Sequence, residues 1–196
     1  AIFKKTEDLK EELRKLKDLT DKPWAVNINL FPMLAPPDNK AFVEALAEEA
    51  VTIVETSGFG APVELVELFK QHGMTWIHKC VGVRYARKVA GLGADAVTVV
   101  GYENGGATGN LNVTSLVLVP ATVDAVSIPV IGGGGVADGR GLAAILALGV
   151  DQPPLLVGRH DGEPCLVELF QQHLMHIAFR QLLLVVARQA VIDPVP

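Results

Sequence analysis

The feature that most limits how this chain folds is its alternation of short apolar, β-branched runs with stretches of helical period. Strand-like runs lie at residues 24–31, 51–58, 75–81, 96–102 and 128–133, and helical patterns at 39–50, 62–72, 83–92, 114–125 and 139–148. A further helix opens the chain, with Leu9, Leu13, Leu16 and Leu19 at three- and four-residue steps, Thr6 as its N-cap, and Glu7 and Asp8 in its first turn. Pro120 is expected to kink or delay the fourth of the later helices. Strand runs that are apolar on both faces and separated by helices belong to βαβ units and a parallel sheet. Such a sheet is either doubly wound or closed into a barrel. Spacing does not decide between them. Polar and glycine residues collect where each strand ends: Asn27 and Asn29, then Glu55 to Gly58, His78 and Lys79, Glu103 to Gly109, and Gly132 to Gly135. A barrel gathers its chemistry at that rim, so the expected fold is a (β/α)8 TIM barrel, with the doubly wound sheet as the alternative.

Composition narrows the function. The chain has 196 residues, 49% of them hydrophobic, enough for one compact core. A net charge of −5 without a local Lys/Arg cluster argues against nucleic acid. The longest uninterrupted apolar stretch near the end, residues 182–187, is too short for a bilayer span, so no membrane segment is expected. Cys80 and Cys165 show no metal-ligand or disulfide spacing, which fits free thiols and a cytoplasmic setting. His173 and His176 lie three apart without a third ligand, and no metal site is expected. His72 and His78 read as structural or surface residues.

Two glycine loops ask for ligands. IGGGGVADGRGLAA sets four consecutive glycines between a strand and a helix, where backbone N–H groups and a helix N-terminus favour phosphate. A tight strand-to-helix turn without a ligand would use the same residues. Asp138 and Arg140 are expected to cap the following helix. The second loop is GYENGGATGN, residues 101–110.

Together with these loops, TDKPWAVNINL, ETSG, IHKC, VRYARKVAGLGADAV, TSLVLVPATVDAV and IPVIGGGGVADGRGLAAILALG run in unbroken order over residues 16–151. In that order they resemble the nitronate monooxygenase family, formerly called 2-nitropropane dioxygenases. The resemblance implies a TIM barrel holding FMN at the C-terminal ends of its strands. It places Asn27 and Lys79 near the flavin, Gly105 and Gly106 against it, and Gly134 and Gly135 on the FMN phosphate. Glycine allows that close approach, and a cation can stabilise charge on the cofactor. On the residues alone, Asn27 would equally satisfy backbone groups at a strand end, and Lys79 would equally be a solvated rim charge.

Three departures accompany the likeness. Where the family has a histidine in its GGHxG loop, this chain has Ala107, which cannot transfer a proton. The family has two strands before the helix on which this sequence opens, so the first two barrel strands are expected to be missing. After Asp151, Gly158 and Arg159 stand roughly where the family has a glycine-threonine-arginine phosphate loop. A sixth strand is expected at 153–158, a barrel domain over residues 1–160, and a helical segment over 161–196 that packs on the barrel or on a second subunit of a homo-oligomer. The leading expectation is FMN-dependent oxidation of alkyl nitronates by molecular oxygen, with no catalytic base named. The alternatives are an NAD(P)H-dependent flavin reductase with a quinone or enoyl thioester acceptor, and a flavin-less barrel that binds a phosphate ligand.

Overall fold

The computed structural model describes residues 5–21, 24–32, 36–58, 60–105 and 109–150, and the backbone of 159–160 and 163–164. Helix α1 (Thr6–Leu19) precedes strand β1 (Val26–Asn29). There follow α2 (Asn39–Glu48), β2 (Ile53–Ser57), α3 (Val66–Gln71), β3 (Thr75–Cys80), α4 (Val83–Leu92), β4 (Ala96–Val100), α5 (Ser115–Val123), β5 (Val130–Gly133) and α6 (Gly139–Ala147). A two-residue pair, β6 (Arg159–His160) and β7 (Glu163–Pro164), is antiparallel. The expected sixth strand, the boundary at residue 160, and His173, His176 and Cys165 lie outside the described residues. None of the helices among the described residues is long and apolar enough to cross a membrane.

The five strands pair in parallel in the order β1-β2-β3-β4-β5. A doubly wound sheet reverses its strand order at a switch point, and none occurs among the described strands. Strands added always at the same edge through crossovers of one hand put every helix on one face, as a barrel requires. The side chains divide accordingly. Val54, Trp76, Val97, Val99 and Val130 belong to the large core shared with the helices. On the other face Ile53, Ile77 and Ala96, with Ala25 and Ile131 packed against them, form a second, smaller cluster, one residue from each of β2 to β5 and one from just before β1. Strand periodicity of two explains the division, and the small cluster is the floor of the arc's concave side.

Local sequence accounts for most boundaries. Gly93, at φ +97°, ends α4, and Gly149, at φ +87°, follows α6; both take the left-handed conformation that glycine adopts without strain. Asp38 caps α2 by accepting from Ala41 N, and Asp138 caps α6. Thr6 is not a cap. Lys5 holds the N-cap position of α1, without a side-chain bond, and Thr6 is the first helical residue. Pro120 neither delays nor ends α5, which runs through it. Its missing N–H leaves the carbonyl of Leu116, four residues earlier, without the usual helical donor.

Helix α1 docks on α2 through Leu9 and Leu13 and through charge. Lys10 pairs with Glu48 at 2.6 Å, while Arg14 and Lys17 hold the Glu49 carboxylate at 2.7 and 2.8 Å. The Lys17 hydrogen bond, then Arg14, keeps Glu49 below the usual carboxylate range.

Candidate active site

Two residues above the apolar floor, the same strand faces turn polar. Asn27 follows Ala25, Glu55 follows Ile53, Lys79 follows Ile77 and Thr98 follows Ala96. Asn27 Nδ2 donates to Glu55 Oε2 at 2.9 Å, and Thr98 Oγ1 donates to Glu55 Oε1 at 2.9 Å. Ser57 Oγ donates to Asn27 Oδ1 at 3.2 Å. Asn27 is therefore oriented, with its amide nitrogen toward Glu55 and its oxygen toward Ser57. The Glu55–Thr98 bond crosses over β3, which lies between β2 and β4. Strands two apart in a flat sheet lie about 9.5 Å from one another, so only strong concave curvature brings these side chains together.

Lys79 sits on that concave face, half-buried, with its Cα in register with Ser57 on one side and Thr98 on the other. It has no ion-pair partner and no side-chain hydrogen bond among the described residues. A half-buried ammonium without a partner is costly, and an anionic ligand would offset that cost.

The neighbouring His78 points the other way. Trp76 Nε1 donates to Thr56 Oγ1 at 2.8 Å, and the Thr56 hydroxyl lies 2.7 Å from His78 Nδ1. With the Trp76 hydrogen on its oxygen, Thr56 donates its own to Nδ1, which fixes the neutral tautomer protonated at Nε2. Burial pushes His78 down to about 4. It is a structural histidine within a buried polar chain. His72 is a surface residue, its Nε2 3.0 Å from Glu44 Oε2. Cys80 is a free buried thiol that burial pushes up to about 12, and so unreactive.

The rim beyond β4 and β5 is glycine-built. Gly134 and Gly135 have φ +95° and +72°, and a Cβ on Gly134 would stand 2.6 Å from Ser115 Oγ. Their amides donate to no acceptor among the described residues. Two successive free N–H groups in a glycine turn fit a phosphate. The N-terminus of α6 adds less than the sequence suggested. Its amides at Arg140 and Gly141 are taken by the Asp138 carboxylate, which also holds the Arg140 guanidinium. That guanidinium, with the two amides, brings Asp138 down to about 2.

The loop after β4 folds back so that Tyr102 N donates to Val113 O at 3.0 Å. Gly109 packs on Val81, where a Cβ would come within 2.7 Å of the valine Cβ. Among the described residues, leaving out its chain neighbours, no atom lies within 4 Å of a Cβ built on Gly105. Gly106 and Ala107 lie outside the described residues. Of the residues expected from sequence, Asn27 and Lys79 share the concave face, and Gly134 and Gly135 share a turn at the rim of the adjoining strands. Glu55 and Thr98 escaped the sequence reading as site residues. Their partnership spans 43 positions and is visible only once the register is known.

The sequence of residues 3–152 matches the family model described as nitronate monooxygenase. A Rhodococcus jostii (3aS,4S,5R,7aS)-5-hydroxy-7a-methyl-1-oxo-octahydro-1H-indene-4-carboxyl-CoA dehydrogenase is 41% identical over 142 residues, which cover 72% of this chain and 38% of that protein. Among solved structures, FabK from Thermotoga maritima is 39% identical with a TM-score of 0.68, over 76% of this chain and 46% of its own. Nitroalkane oxidase from Streptomyces ansochromogenes is 26% identical with a TM-score of 0.69, over 76% and 54%. This chain thus spans from under two fifths to about half of the length of these proteins. Both solved structures are TIM-barrel flavoenzymes, in keeping with the arc of five parallel strands. By the family model, the fold and the ordered motifs, the chain belongs to the nitronate monooxygenase family, whose members are FMN-dependent oxidoreductases.

Proposed function

We propose that this chain carries the cofactor rim of an FMN-dependent enzyme that oxidises alkyl nitronates with molecular oxygen. The observation that supports this most is Lys79, a half-buried cation on the concave face without a partner among the described residues. A nitronate is already an anion, and a fixed ammonium beside it provides both binding and orientation. Gly134 and Gly135 would hold the FMN phosphate through their amides, Asn27 and Lys79 would face the flavin, and the loop with Gly105 and Gly106 would lie against it. Bound FMN supplies the redox centre that takes electrons from the substrate and returns them to oxygen. Asn27 is pre-oriented by Glu55 and Ser57, so its amide needs no rearrangement to meet a ligand.

Ala107 stands where the family has histidine and moves no proton. A substrate that arrives deprotonated does not need one. Neutral nitroalkanes are therefore expected to turn over far more slowly than their nitronates, with Ala107→His narrowing the gap. Steady-state rates on both forms test this, and equal rates before the substitution would count against it.

A second reading has its own support: the 41% identity to a CoA thioester dehydrogenase. On that reading the substrate is an acyl-CoA thioester, and an NAD(P)H-dependent reductase remains an alternative of the same chemistry. Anaerobic mixing separates them. Flavin bleaching by nitronate alone supports the first reading, bleaching by a hydroxyacyl-CoA thioester the second, and bleaching by NADH the reductase. A preparation that stays colourless with added FMN would instead point to a flavin-less barrel binding a phosphate ligand.

A further inference from the structure

We propose that Ser115 and Glu103 are positioning residues that hold the Gly134–Gly135 turn in its phosphate-binding shape, an inference that rests on the FMN assignment above. Ser115 is the first residue of α5 and is 4% exposed. Its hydroxyl lies 2.8 Å from the carbonyl oxygen of Gly133, 2.9 Å from that of Gly134 and 3.3 Å from Glu103 Oε2, and its one hydrogen is shared among these acceptors, the two carbonyls being the nearest. The same oxygen accepts from Gly101 N at 3.2 Å. One side chain thus ties the end of β4, the end of β5 and the start of α5.

The geometry has a directional consequence. In a trans peptide the N–H points opposite to the preceding carbonyl. Drawing the carbonyls of Gly133 and Gly134 toward Ser115 turns the N–H groups of Gly134 and Gly135 away from it. These are the two amides without an acceptor among the described residues. Only glycine permits the arrangement at residue 134, because φ is +95° and a Cβ would run into Ser115 Oγ. Glu103 holds Ser115 in turn. Its carboxylate oxygens accept from Ser115 N at 3.2 and 3.1 Å, where Thr114 offers no side-chain cap. A side-chain acceptor at that place satisfies an otherwise unpaired helix N–H and fixes the entry of α5.

The test is the preference of the full chain for FMN over riboflavin, which differ by the phosphate, measured by quenching of flavin fluorescence. The unaltered chain is expected to prefer FMN. Ser115→Ala should cut the FMN-to-riboflavin preference by about tenfold and Glu103→Ala by about threefold, with riboflavin affinity unchanged. Glu103→Gln keeps an acceptor and should restore the preference. Equal affinity for the two flavins in the unaltered chain, or binding of neither, overturns the phosphate reading and the inference with it. A preference for FMN that survives both alanine substitutions, or an equal loss for both flavins, overturns the inference alone.

Discussion

The two faces of the sheet are made from the same short strands and do opposite work. On the helix side, polar groups are sealed and satisfied by one another, as in Trp76, Thr56 and His78. On the concave side an apolar floor gives way, two residues later, to Asn27, Glu55 and Thr98, with Lys79 unpaired among the described residues. The helix side therefore carries stability, and the concave side is the face proposed to carry the chemistry. Alternation along a strand lets one residue serve each purpose without disturbing the next.

The contrast can be broken most forcefully at Trp76. Trp76→Ala removes a fully buried ring and the hydrogen bond to Thr56, and should cost about 3–5 kcal/mol in denaturant unfolding. Loss of flavin binding without loss of stability would contradict the division. His78 gives the next largest effect. With a folded value near 4 against an ordinary 6.5, the unfolded chain binds more protons between those limits, so stability is whole above about pH 6.5 and falls as pH drops toward 4. About 2 kcal/mol should be gone by pH 5, measured against His78→Gln, which lacks the titration.

On the concave side the effects on stability shrink. Glu55→Ala leaves Asn27 and Thr98 short of an acceptor and should cost about 1 kcal/mol, while Glu55→Gln retains most of it. Lys79→Met should change unfolding by no more than about 0.5 kcal/mol, yet lower kcat/KM for nitronate about tenfold. An unfolding penalty at Lys79 as large as that at Trp76 would erase the distinction between the faces.

Much of this was legible in the sequence. Every strand of the five was visible as a β-branched run, because parallel strands covered on one side by helices need that composition. Rim glycines and the Asp138 cap were visible because their causes are local. What was hidden depends on register. The strand order that excludes a doubly wound sheet, and the meeting of Asn27, Glu55 and Thr98, arise from lateral pairing between distant segments. His72 and Glu44, 28 positions apart, pair for the same reason. Pro120 shows the converse: a strong local signal did not end the helix, which runs on to Val123.

The carboxylate of Glu55 has one more implication. Its reach over β3 to Thr98 depends on the curvature of the arc, so it acts as a tie laid across the chord. Aspartate, one methylene shorter, would not span the gap, and a flatter sheet would pull the ends apart. Anything that spreads the outer strands would be felt as a tug on Asn27, which couples the proposed grip on a ligand to the tightness of the arc.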